Sequence, residues 1–121
     1  MTEDELQGLI EEATFDYVTG DPSSALEKLG RATAQAPESP QAWHAVAEIE
    51  LSLRHLDQAL AAGERALALA PGDPLSIATL SRIWMERGDK ARAEHYGARA
   101  RVQGWKDELR APPPADADGL R

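Results

Sequence analysis

Residues 40–73, PQAWHAVAEIELSLRHLDQALAAGERALALAPGD, decide the fold. Trp43, Val46, Ala47 and Leu51 recur at the spacing of one helix face. Leu60, Gly63, Ala66 and Leu67 do the same before Pro71-Gly72-Asp73 stops the pattern. The stretch reads as two helices and a stop. Moved by 34 residues in either direction, it meets imperfect copies of itself: Ala25, Ala59 and Ala93 coincide, as do Ala32, Ala66 and Ala100, Pro37 and Pro71, and Pro40 and Pro74. A period of this length marks a stack of helical hairpins.

Small residues seven apart on each second helix let it lie close against the first. With these alanines, Trp43 near the start of its pair and prolines closing the units, the chain resembles a tetratricopeptide-repeat (TPR) protein over about residues 6–105. Gly20-Asp21 and Gly88-Asp89 match that family's turn between helices, whereas the middle copy has Arg54-His55. The resemblance implies an all-α fold, a right-handed α-solenoid of three helix-turn-helix units (about 6–39, 40–73 and 74–107) in a domain over residues 1–110.

The six helices are predicted at about 4–19, 22–36, 41–53, 56–70, 75–87 and from 90 toward 109. Thr2 is the candidate cap of the first, Asp21-Pro22 opens the second, and Asp16 falls where the family places a large side chain. Pro112-Pro113-Pro114 ends the last helix, and residues 111–121, APPPADADGLR, are expected to form a disordered tail.

At the far end the stacking positions turn polar. Leu26 and Leu60 become Glu94, Thr33 and Leu67 become Arg101, and Gln35 and Leu69 become Gln103. An array needs such a face where it stops, so the last helix is expected to extend as its own cap, with Trp105 folding back over the remaining apolar surface. Gly63 and Gly97 stand mid-helix where the first unit has Leu29. Each either permits close packing compensated by bulk such as Trp84, or leaves a hollow for a partner's side chain. Trp43 and Trp84 are expected in the core.

At 121 residues there is room for one domain, and the absence of cysteine excludes disulfides and thiolate metal sites, fitting a cytoplasmic protein. No apolar run approaches the roughly 18 residues of a membrane span, and the start MTEDELQG is acidic where a signal peptide is basic. A net charge of −8 argues against nucleic acid and anionic membranes as partners. The charge is uneven. Residues 1–27 carry eight acids and no Lys or Arg, whereas residues 82–110 carry eight bases against five acids, a balance of +3. This asymmetry is either solvated surface or a basis for weak, salt-sensitive head-to-tail contact or an acidic partner.

In the resembled family the first helices of successive units line a concave surface that holds a peptide or a partner's helix. Carried over by position, the candidate groove residues are Ile10, Thr14 and Tyr17, then Gln41, His44, Glu48 and Leu51, then Leu75, Arg82 and Met85, with Gln7, Val18, Ser52, Ala78 and Glu86 beside them. Apolar anchors with few charges suit an extended or helical segment of another protein at micromolar affinity. The carboxylate clamp of one TPR subclass needs Lys, Asn and Arg where this chain has Ile10, Thr14, Ala45, Leu75 and Thr79, so a chaperone C-terminus is not the expected ligand.

Nothing points to an enzyme, a cofactor or a metal. His44, His55 and His95 lack the i, i+4 spacing of a helix-borne metal site, there is no phosphate-binding glycine loop, and Glu11-Glu12 and Glu48-Glu50 point apart on a helix and read as solvated face. KDEL at 106–109 is internal and is no retrieval signal. Three functions fit: an adaptor that binds a protein or peptide in its concave groove, a structural subunit that self-associates through oppositely charged ends, and a secretion-type chaperone, since some of those are acidic three-unit TPR proteins. The chain is expected as a monomer or a weak self-associating species.

Overall fold

The computed structural model describes residues 1–110. Six α-helices follow in order: α1 (Glu3–Val18), α2 (Pro22–Gln35), α3 (Pro40–Ser52), α4 (Leu56–Leu69), α5 (Pro74–Glu86) and α6 (Lys90–Arg110). No strand occurs among the described residues. The fold is the expected all-helical solenoid of hairpins. The segment expected to be a disordered tail, 111–121, lies outside the described residues.

Local chemistry sets most of the boundaries. The Thr2 hydroxyl accepts from the Glu5 N–H at 3.1 Å while the Glu5 carboxylate accepts from the Thr2 N–H at 3.3 Å, a reciprocal cap on α1. Asp21, Ser39 and Asp73 each accept from a backbone N–H of the helix they precede, and each is followed by a proline. Only α4, opened by His55, has no side-chain cap. Inside each hairpin the chain turns through the left-handed region, at Gly20 (φ 94°), Arg54 (φ 63°) and Gly88 (φ 84°). The two glycines adopt it freely, and Arg54 adopts it against the clash of its own Cβ.

Each hairpin packs on the next, and the first helices also meet directly, α1 with α3 and α3 with α5. Ala25, Ala59 and Ala93, together with Ala32 and Ala66, are buried to 1% exposure or less, as close helix packing demands, and Ala100 is half-buried. Gly63 is tighter still. A Cβ built there would meet Leu80 Cδ2 at 3.0 Å and Ile83 Cδ1 at 3.5 Å, so the compensating bulk is Leu80 and Ile83 and not Trp84. Gly97 faces Ser81 and Arg101, with no apolar side chain against it.

Trp43 and Trp84, expected in the core, are half-buried. Both lie under guanidinium groups: Arg65 sits 5.9 Å from the Trp43 ring centre, and Arg87 and Arg92 sit 5.3 and 4.8 Å from that of Trp84. Trp43 Nε1 donates to the Pro37 carbonyl at 2.8 Å, tying α3 to the loop before it.

At the last face Arg101 pairs with Glu94 at 2.8 Å, so two of the three substituted stacking positions satisfy one another, and the third, Gln103, donates to Asp107 on its own helix at 3.1 Å. The fold-back expected of Trp105 does not occur. Trp105 is 65% exposed, and every residue from 105 to 110 is exposed with it.

Candidate functional site

The concave side is built by α1, α3 and α5. Between α1, α3 and the start of α5 lies a hollow of about 770 Å³. It is lined by Ile10, Thr14 and Tyr17 from α1, Gln41, His44 and Glu48 from α3, and Leu75 from α5. The remaining expected groove residues, Leu51, Arg82 and Met85, line a second recess of about 360 Å³ between α3 and α5, and Ser52 borders both. The expected residues are thus brought together as two neighbouring hollows.

Ile10 and Tyr17 are half-buried because each packs one side on the cluster of Ala13, Ala25, Leu29 and Ile49 and turns the other to the hollow. Val18, Leu75 and Met85 are exposed outright, which gives the surface apolar edges that nothing in the described chain covers. The Thr14 hydroxyl is spent on its own helix, donating to the Ile10 carbonyl at 2.9 Å. Pro40, Ile49, Ala70 and Asp73 also line the main hollow, and sequence reasoning missed them. Three of them flank the inter-unit loops, whose prolines mark where the chain must return beneath the concave side.

A polar network occupies the floor where α3 meets α5. The fully buried Thr79 hydroxyl lies 2.7 Å from Glu48 Oε1 and 2.8 Å from the Leu75 carbonyl, and its single proton serves one acceptor at a time. His44 Nε2 lies 3.0 Å from Thr79 Oγ1 and 3.4 Å from Glu48 Oε1, and the Arg82 guanidinium pairs with the same carboxylate oxygen. Hydrogen bonding to His44, then to Thr79, then the charge of Arg82 outweigh partial desolvation and lower Glu48 from 4.5 to about 2.

Glu48, one of the expected groove residues, is therefore held by Thr79, His44 and Arg82, which corrects its other reading as solvated face. Glu50 does point away from it, toward His55 Nδ1 at 3.0 Å. The signal for Glu48 was available in the period: residues 34 apart lie side by side on adjacent first helices, and Glu48 and Arg82 are 34 apart.

Chemically, the arrangement favours holding over reacting. Glu48 is ionised and neutralised at physiological pH, and the one histidine beside it is engaged. No group of three or more metal-ligating side chains occurs among the described residues, and no helix there is long and apolar enough to cross a membrane.

The comparisons agree with this architecture. Two crystal structures of MamA superpose on the chain. One has a TM-score of 0.81 at 17% identity, covering 86% of this chain and 61% of MamA. The other has a TM-score of 0.78 at 18% identity, covering 90% and 61%. SycD, the type III secretion translocator chaperone of Yersinia enterocolitica, solved as an alternative dimer, matches with a TM-score of 0.79 at 16% identity over 84% of this chain and 77% of its own. At these identities the likeness is one of fold. The chain spans about three fifths of the MamA chains it matches. No curated protein sequence matches it. The tetratricopeptide repeat profile matches residues 11–74, more than half of the chain. With its period, its paired helices and this match, the chain belongs to the tetratricopeptide repeat family, whose members serve in general as protein-interaction scaffolds.

Proposed function

We propose that the protein is an adaptor that binds a segment of a partner protein in its concave face. The observation that carries this is the hollow beside α1. Its apolar wall of Ile10, Tyr17 and Leu75 stands next to a polar floor whose charges are already matched within the chain. A partner segment therefore gains most from apolar side chains set against Ile10 and Tyr17, and little from a free carboxylate, because Ile10, Thr14, Ala45, Leu75 and Thr79 offer no cation. A chaperone that shields a secreted protein, a role suggested by the likeness of fold to SycD, would use the same surface and differ in its client.

The test is selection from a peptide library of extended and helical segments, followed by titration against variants. Tyr17→Ala and Leu51→Glu are expected to weaken a selected peptide by about tenfold or more, the effect of losing one well-packed anchor. A ligand bound equally by both variants would place the working surface elsewhere.

A further inference from the structure

The outer face of α1 is built like an internal junction left open. Shifting by 34 and 68 residues places Gly8 on Ala42 and Ser76, Glu12 on Val46 and Leu80, and Phe15 on Ile49 and Ile83. In the second and third units these positions face the preceding hairpin, and Ala42, Ser76, Leu80, Ile49 and Ile83 are buried. In the first unit no described residue covers them. Phe15 is 67% exposed and forms one wall of a shallow hollow with Gly8, where an added Cβ would meet nothing within 4 Å. Glu11 and Glu12 rim the hollow.

The opposite end carries the complement. Where α4 presents Leu60, Gly63 and Leu67 to α5, α6 presents Glu94, Gly97 and Arg101. Inside the chain, Ile83 and Leu80 close on Gly63 with Leu67 beside them, and Thr79 contacts Glu48. Repeating that junction once more between two molecules sets Phe15 of one copy over Gly97 of the other. It also sets Glu12 against Arg101 and Glu11 against Arg82. Arg101, which lies across Gly97 in the single chain, swings aside to do so.

We infer that a second copy of this chain docks its α1 face on the α6 face, continuing the solenoid head to tail. This goes beyond the groove reading, since it uses the ends and leaves the main hollow beside α1 free. One aromatic contact and exposed ion pairs make a weak contact that salt disrupts. Because the two faces differ, the contact is heterologous and open-ended, giving short chains of copies in place of a closed dimer.

Sedimentation or light scattering of the full chain over a concentration series tests this at low and high salt. The expected result is a mass that rises with concentration at low salt, with association weakened about tenfold by high salt. Phe15→Glu blocks one face and Arg101→Glu the other, so each variant alone is monomeric, while their mixture forms a one-to-one heterodimer through the two intact faces. Both side chains are exposed, so helicity and Tm should match wild type. Should Phe15→Glu fail to fold, Glu12→Arg is the alternative block. A wild-type chain that stays monomeric throughout, a Phe15→Glu variant that still self-associates, or a mixture without heterodimer overturns the proposal. So does an α1 face that binds an added basic amphipathic helix but not a second copy.

Discussion

The junction between α2 and α3 and the junction between α4 and α5 are the same structure built twice from different materials. Across the first, Leu29 is fully buried beside Ile49 and Val46, and no ion pair links the first unit to the second among the described residues. Across the second, Gly63 replaces Leu29, Leu80 replaces Val46, and charge laces the rim: Arg82 to Glu48, Arg54 to Glu86, and Arg87 to Asp57. The repeat thus keeps both junctions packed with different residues, Leu29 beside Val46 at one and Leu80 closing directly on a glycine at the other, and polar bridging is an addition to one junction alone.

Substitutions can break this comparison, and the largest effect belongs to the dry junction. Leu29→Ala should cost about 3 kcal/mol, read from the urea midpoint, because a fully buried leucine leaves a cavity that close-packed alanines cannot fill. A loss under about 1 kcal/mol would mean that this junction collapses freely. Gly63→Leu should cost about 2 kcal/mol by overpacking against Leu80. Adding Leu80→Val gives the second junction the same Leu-Val pairing as the first, and the double variant should recover at least half of that loss.

The polar bridge is smaller. Glu48 titrates lower in the folded chain, about 2, than its ordinary 4.5, so its contribution is complete above pH 4.5 and is lost as pH falls toward 2. With the carboxylate side chain 37% exposed, solvent limits that contribution to about 1 kcal/mol. Glu48→Gln should flatten the stability profile over this acid range while leaving the region above it nearly level. Arg54→Gly should raise stability by about 0.5 kcal/mol, a Tm gain of a few degrees: relief of left-handed strain exceeds the loss of the exposed pair with Glu86. Last comes Trp105→Ala. With its indole outside both junctions, it should change stability by less than about 0.5 kcal/mol.

The same contrast explains what was legible in the sequence. The alanines at 25, 59 and 93 and the prolines at 37 and 71 report the hairpin and its period directly, because each is a local steric requirement. Departures within the period were also visible. Arg54 stands where two glycines turn, and Gly63 stands where Leu29 packs. Contacts between helices were harder. Asp16, standing in the place of a large side chain, is answered by Lys28 at 2.6 Å and by Ser24, which hold its carboxyl below the usual range. Nothing in a one-helix pattern names those partners.

The network that holds Glu48 was hard to read for a like reason, since Thr79 and Arg82 lie on the next first helix. Trp105 was misplaced because it was expected to cover apolar surface left at the last face, whereas it lies in the exposed final turns of α6. Of the groove, position within the resembled family's repeat placed the side chains on their helices, and the turns of chain beneath them, at Pro40, Ala70 and Asp73, became visible only once the hairpins were stacked.

The unpacked final turns of α6 have a mechanical use. Six exposed residues of helix, 105–110, make a rod of about 9 Å, on which a label at Leu109, 86% exposed, stands away from the packed hairpins. A fluorophore or affinity handle attached there should report on the groove without crowding it.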